Sequence, residues 1–351
     1  MFYASDNSGP AHPAVLAALQ DANSGYAMPY GADPLMAEVR TMIREIFEAP
    51  EAAVYLVATG TAANSLALAT MVDPYDTVFC SPVAHIHEDE CNAPEFYSGG
   101  AKLTLVPGGD KMTAEALRAS IGAEETRGVH GPQRGAVSIT QVTERGSVYT
   151  LEELRGLCDV ARGFGLPVHL DGARFANALV ALGCSPAEMT WKAGVDVVSF
   201  GGTKNGLMGV EAVILFDPAK AWEFELRRKR GAQLFSKHRF LSAQMAAYLR
   251  DGLWLEMAAS ANAAAAALAE GLREAGAGFL HSVDANMIFA EFPRAAHRRL
   301  HEAGAMYYVW SGALEGDDPE ERLAARLVCD WSSSAENRER FLSILTGAAR
   351  G

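Results

Sequence analysis

Lysine is scarce in this chain, with only seven among 351 residues, and acidic side chains outnumber basic ones by 43 to 30, leaving a formal net charge of −13. That balance argues against a surface that grips nucleic-acid phosphates or anionic membranes through bulk electrostatics, though it leaves room for a small basic pocket. Small-molecule chemistry fits better. Cysteine is also sparse: Cys80, Cys91, Cys158, Cys184 and Cys329 are scattered, odd in number, and lack the close pairing of a zinc site or a disulfide framework. They read as reduced thiols of a cytoplasmic protein, and no metal is expected. No uncharged apolar run approaches the roughly 20 residues that span a bilayer. The opening MFYASDNSGP has neither a basic flank nor an apolar stretch. The alanine-rich AASANAAAAALAEGL reads as a soluble helix.

Polar low-complexity tracts and Gly/Ser linkers are missing too. Hydrophobic residues make up 49% of the chain and charged residues 21%, so an ordered globular protein is expected. From about Glu51, short β-rich runs alternate with helical patterns: AVYLVAT, DTVFC, KLTLVP, GAVSITQ, LPVHL, VDVVSF and EAVILF. Such alternation predicts an α/β fold with a mostly parallel central sheet and helices on both faces. Between two of the runs, TLEELRGLCDVARGFG opens with a capping box, Thr150 with Glu153. It lines Leu151, Leu154, Leu157 and Ala161 along one face and stops near Gly163 and Gly165, the pattern of a crossover helix. After Phe216 a basic segment, ELRRKRGAQLFSKHRF, leads into a helical stretch through about Gly276, then strands in NMIFAEF, AMYYVW and RLVCDW. The expected division is an N-terminal arm and large domain over residues 1–244 and a small α+β domain over 245–351, sharing an interface.

Four stretches carry the chemistry: TGTAANS (59–65), SPVAHIHEDE (81–90), VHLDGARF (168–175) and SFGGTKNG (199–206). Each follows an expected strand, where open α/β sheets place ligands. In the first, the backbone N–H groups of Gly60 and Thr61 open a helix and suit a phosphate, though an ordinary helix cap has the same look. In the third, Asp171 ends an apolar strand and needs a partner, because an unpaired buried charge costs several kcal/mol or more. Arg174 is one candidate, in a plain salt bridge. A protonated pyridine nitrogen is the other; a carboxylate there keeps a pyridoxal ring cationic, as carbanion chemistry requires. Lys204, with small neighbours Gly201, Gly202 and Gly206, is either a solvated loop lysine or an amine that forms a Schiff base with the cofactor aldehyde.

The order Gly-Thr, His, Asp-x-x-Arg, Thr-Lys resembles the fold-type I pyridoxal-phosphate enzymes. More narrowly, HLDGARFANALVALGCSPAEMTWKAGVDVVSFGGTKNG, with FYASDNSG, YGADPL and GTAANSLAL, resembles the β-eliminating lyase family that holds the threonine aldolases. The likeness covers nearly the whole chain and is densest from about Asn7 to Asn205. It implies pyridoxal 5′-phosphate on Lys204, Asp171 at the pyridine nitrogen, and Gly60, Thr61 and Thr203 at the phosphate. His85 would stack on the ring, where a plain loop histidine is the alternative for it and for its neighbour His87. Ser5, Arg174 and Arg326 would hold the substrate carboxylate, an arginine gripping it with two parallel hydrogen bonds; a surface salt bridge is the alternative for Arg326. Tyr30 and Arg239 would reach a neighbouring subunit's active site in a homodimer or homotetramer, where a solvated helix face is the alternative for the basic segment.

One departure stands out: many relatives carry Asn-Thr-His where this chain has Val142, Thr143 and Glu144. Recognition and deprotonation of a substrate hydroxyl must then run through Glu144, His85, Glu90 or a water. The expected activity is cleavage of L-threonine, L-allo-threonine and related L-β-hydroxy-α-amino acids to glycine and an aldehyde. Two alternatives stay open: β-elimination or transamination on the same cofactor, and a non-catalytic cofactor-binding protein.

Overall fold

A computed structural model describes residues 1–347. Seven strands form the large sheet: β1 (Ala53–Val57), β2 (Asp76–Cys80), β3 (Lys102–Leu105), β4 (Gln133–Thr140), β5 (Val168–Gly172), β6 (Val197–Gly201) and β7 (Glu211–Leu215), in the order β1-β7-β6-β5-β4-β2-β3. Every expected run is a strand. Within the sheet β7 alone runs antiparallel, against both β1 and β6. The five residues of β1, β5, β6 and β7 are buried throughout, because helices cover both faces and the strands can be apolar without alternation.

The capping box at Thr150 is present in both directions: the Glu153 N–H donates to Thr150 Oγ1 at 3.2 Å, and the Thr150 N–H donates to Glu153 Oε2 at 2.7 Å. The helix it starts, Leu151–Gly163, buries Leu154, Leu157, Cys158, Val160 and Ala161 against the sheet. Gly165 follows at φ +73°, a backbone conformation that suits glycine.

Past Phe216 the expected continuous helix is two, Arg239–Leu249 and Leu253–Glu274. They are parted where Asp251 (φ +53°) and Gly252 (φ +74°) both enter the left-handed region, the backbone of an Asp-Gly turn. The second helix holds the alanine-rich stretch. Its buried stripe Trp254, Met257, Ala258, Ala261, Ala265, Leu268, Ala269 and Leu272 recurs every three or four residues, so it packs along one face. Its first turns join the core of the large sheet and its last turns the core of the small one.

The small sheet is antiparallel, in the order β10-β11-β9-β8, from β8 (Gly278–Phe279), β9 (Met287–Pro293), β10 (Tyr308–Ser311) and β11 (Arg322–Val328). The sequence placed the last strand at RLVCDW, whereas β11 starts at Arg322 and ends at Val328. Its central alanines, Ala324 and Ala325, are weak strand formers and left no signal, yet they are buried between β9 and β10. The N-terminal arm crosses to this sheet: the Tyr3 N–H donates to Met306 O and the Val328 N–H to Tyr3 O. The expected division at 244/245 falls inside the helix Arg239–Leu249. No helix of the described residues is long and apolar enough to cross a membrane.

Thr150→Ala removes the hydroxyl half of the capping box on an exposed helix start. It is expected to cost about 1 kcal/mol in urea unfolding.

Candidate active site

Parallel strands end on the same side, so β1, β2, β5 and β6 deliver their following loops to one edge of the sheet. The segments after β1, β2 and β6 carry Gly60, His85 and Lys204, and β5 brings Asp171 as one of its own last residues. β7 runs the other way, so its first residue, Glu211, arrives at that same edge, in register with Val57 of β1 and Gly201 of β6. The result is a cavity of about 370 Å³ whose lining includes Gly60, Thr61, Asn64, His85, Asp171, Thr203, Lys204 and Glu211.

At one end, Thr59 caps the helix Gly60–Met71, its hydroxyl accepting from the Ala62 N–H at 3.2 Å. The N–H groups of Gly60 and Thr61 lie in the first turn, where a helix offers no internal acceptor, and the space beside Gly60 holds no heavy atom within 4 Å of an added Cβ. This is a ready anion cradle. Lys204 sits in the short 3₁₀ turn Thr203–Asn205 and forms no ion pair among the described residues. Two glycines make that turn possible. A Cβ on Gly201 would stand 2.4 Å from Ala173 O, and one on Gly202 would stand 2.4 Å from Leu207 Cδ1.

Asp171, only 2% exposed, closes the other side. Its Oδ1 accepts from the Ala173 N–H at 3.0 Å and its Oδ2 from Asn64 Nδ2 at 2.8 Å. No Arg or Lys pairs with it among the described residues. The salt bridge to Arg174 is not formed, because Arg174 turns to Asp6 instead: Nε to Oδ2 at 2.6 Å and the second nitrogen to Oδ1 at 3.0 Å. Asn64 also donates to Glu90 Oε1 at 2.9 Å, and Glu90 Oε1 lies 2.8 Å from His85 Nδ1. That hydrogen bond raises the His85 pKa; burial opposes it, and the charges of Asp171 and Glu144 assist it. His87, the competing histidine, is exposed and away from the cavity.

An adjoining cavity of about 260 Å³ holds Glu144, Arg145, Tyr308, Trp310 and Arg326, and meets the first at Asp89. Arg326 donates to Ala4 O at 3.2 Å and has no carboxylate partner among the described residues. Burial and the nearby Arg174 charge lower its pKa, as for a cation short of a counter-charge. Ser5, next to Ala4, accepts from the Asn7 N–H. Arg174 is 3% exposed and spends its fork on Asp6. Burial works against both charges of that pair, but mutual attraction wins, holding Asp6 below and Arg174 above their ordinary pKa values.

Tyr30 and Arg239 do not join this cluster within one chain. Tyr30, 49% exposed at φ +58°, lies under Lys229 Nζ at 5.1 Å from its ring, and Arg239 donates to Gly25 O at 2.9 Å. Sequence reasoning missed Asp6, Asn64 and Glu211. For Glu211 a signal existed: a carboxylate opening the otherwise apolar run EAVILF, the same feature that singled out Asp171.

The fold and cavity define an α/β protein with a small-molecule site at the carboxyl edge of a mostly parallel sheet. The chain belongs to the beta-eliminating lyase family, whose model matches residues 3–295. It is 40% identical over 343 residues to a low specificity L-threonine aldolase of Pseudomonas sp., covering 97% of this chain and 95% of that protein. The structure of a threonine aldolase from Leishmania major superposes with a TM-score of 0.92 at 26% identity, over 99% of both chains. A serine palmitoyltransferase from S. paucimobilis, solved with a bound PLP–myriocin aldimine, shares the fold at 16% identity, with a TM-score of 0.70 over 99% of this chain and 87% of that one.

Asp6→Ala leaves the Arg174 guanidinium buried without its counter-charge. The expected loss is about 3–5 kcal/mol in denaturant unfolding, and a double-mutant cycle with Arg174→Met should recover part of it.

Proposed function

We propose that this protein is a pyridoxal-phosphate-dependent aldehyde-lyase that cleaves L-threonine, L-allo-threonine and related L-β-hydroxy-α-amino acids to glycine and an aldehyde. The observation that carries the reading is Asp171: a buried carboxylate with no cationic partner among the described residues, facing a cavity that also holds Lys204 and a helix N-terminus. The names of the Pseudomonas and Leishmania relatives support the reaction.

The residues present fit the cofactor. Gly60, Thr61 and Thr203 suit its phosphate, Lys204 its aldehyde carbon, and Asp171 its ring nitrogen. His85, fixed through Nδ1 by Glu90, suits its ring face. When bound, pyridoxal phosphate supplies an electron sink for the pair released as the Cα–Cβ bond breaks.

The chain does the rest. Arg326, which lines the adjoining cavity, holds the substrate carboxylate together with Ser5 and Arg174, so that the bond to be broken is held in one orientation. Asp171, held by two hydrogen bonds, would face the ring nitrogen and favour its protonated form. Glu144 borders the substrate side and His85 the cofactor side, and the proton of the β-hydroxyl passes to one of them. Tyr30 and Arg239 complete the site of a neighbouring subunit in a dimer or tetramer. We place the enzyme in the cytoplasm and divide it near residue 244.

Incubating the purified protein and pyridoxal phosphate with L-threonine, L-allo-threonine and L-phenylserine should yield glycine and the matching aldehyde. Pyruvate, ammonia or a keto acid instead would move the reaction to β-elimination or transamination. Lys204→Ala should lose turnover and the visible absorbance of a lysine-held cofactor. Asp171→Asn should keep the cofactor and lower kcat by about 10²–10³-fold.

Glu144→Gln is expected to lower kcat by about 10²-fold with cofactor affinity intact. A drop in His85→Asn but not in Glu144→Gln would assign the proton to His85.

A further inference from the structure

The cavity that suits a phosphate dianion is lined by three carboxylates, Asp89, Asp171 and Glu211, against one lysine, Lys204. Glu211 is the least expected of them. It is 6% exposed, and its Oε2 accepts from the Gly202 N–H at 2.6 Å. The carboxylate therefore braces the turn that presents Lys204, in the same cavity as the cradle of Gly60 and Thr61. Nothing in the reaction proposed above uses it.

We propose that Glu211 is a positioning residue that exchanges its charge for the cofactor's: ionised, it holds the Gly202–Lys204 turn, and it takes up a proton as the phosphate dianion of pyridoxal phosphate enters. This rests on the cofactor reading given above. The physical reason is that two like charges in one buried cavity repel several times more strongly than in water, and the carboxyl can neutralise where the phosphate is held by N–H donors. The group is already poised for it. Burial pushes Glu211 up to about 7, with the Thr203 and Gly202 hydrogen bonds and the Lys204 charge pulling the other way. The ionisable groups facing this end are Lys204 on the turn, Tyr248 on the helix Arg239–Leu249, and Asp171, Asp89 and His85 across the cavity. None of these is an arginine, so among the described residues no guanidinium facing this end relieves the repulsion.

In the unliganded chain a carboxyl with a raised folded pKa favours folding below its ordinary 4.5 and loses that contribution as pH rises through about 7. Glu211→Gln should lack this decline in unfolding curves while its amide oxygen still accepts from Gly202.

For the bound state, pyridoxal phosphate affinity is measured on the cofactor-stripped protein from pH 6 to 9, with pyridoxal as the phosphate-free control. Relative to Glu211→Gln, the wild-type affinity should fall by up to about tenfold per pH unit above about 7, the slope of one linked proton, and pyridoxal should show no such difference. Parallel profiles for the two proteins, or the same gap with pyridoxal, would overturn the proposal while leaving the cofactor reading standing. Binding by neither protein would overturn both. If the variant does not fold, wild-type calorimetry at pH 8 in two buffers of different ionisation enthalpy decides instead. Pyridoxal phosphate should take up close to one proton more than pyridoxal, and equal uptake would count against Glu211.

Discussion

Asp171 sits at the end of a fully buried strand, accepts hydrogen bonds from Asn64 and the Ala173 backbone, and meets no Lys or Arg among the described residues. A buried carboxylate left this way costs several kcal/mol unless a cation arrives. Much of the surrounding architecture keeps that carboxylate apart from the arginines among the described residues. Arg174 would cancel it locally, but Asp6 draws the guanidinium away through two short hydrogen bonds, and the N-terminal arm that brings Asp6 is tied down against the small sheet. The arm thus acts on the site from a distance, by keeping an arginine occupied.

Asn64 links the two acids of the site, donating to Asp171 and Glu90 from one amide nitrogen. Through Glu90 the same network orients His85. Asp171 on its strand, Asn64 on the helix Gly60–Met71 and the His85–Glu90 segment are held in one hydrogen-bonded set, so a change at Asn64 reaches both ends of it. Glu90 Oε2 and Asn64 Oδ1 are buried without partners among the described residues, which marks this network as the part of the site where polar groups remain unsatisfied.

The single antiparallel strand of the large sheet has a chemical consequence. Parallel strands present only their carboxyl ends to the site: Asp171 reaches it from the end of β5, and Gly60, His85 and Lys204 come from the segments after their strands. β7 presents its amino end, so Glu211 reaches the cavity as a strand residue held by register on both sides. A carboxylate on a rigid strand can brace the more pliant turn of Lys204, as its hydrogen bond to Gly202 does.

Local pattern sufficed for the large sheet, because buried parallel strands read as short apolar runs, and for the helix at Thr150, because a capping box is written in four consecutive residues. It also marked Lys204, Asp171 and the Gly60–Thr61 turn, since each lies at the end of an apolar run, whereas His85 stood apart from His87 only through the likeness to the family. It failed at β11, where alanines carry no strand signal, and at the break after Leu249, where an Asp-Gly pair interrupts a helical period. Residue order alone left Arg174 free to pair with Asp171, three positions away. The folded chain chose Asp6, far off in sequence, because a bidentate ion pair in a buried pocket depends on where two guanidinium nitrogens and two carboxylate oxygens meet, and only the tertiary structure decides that.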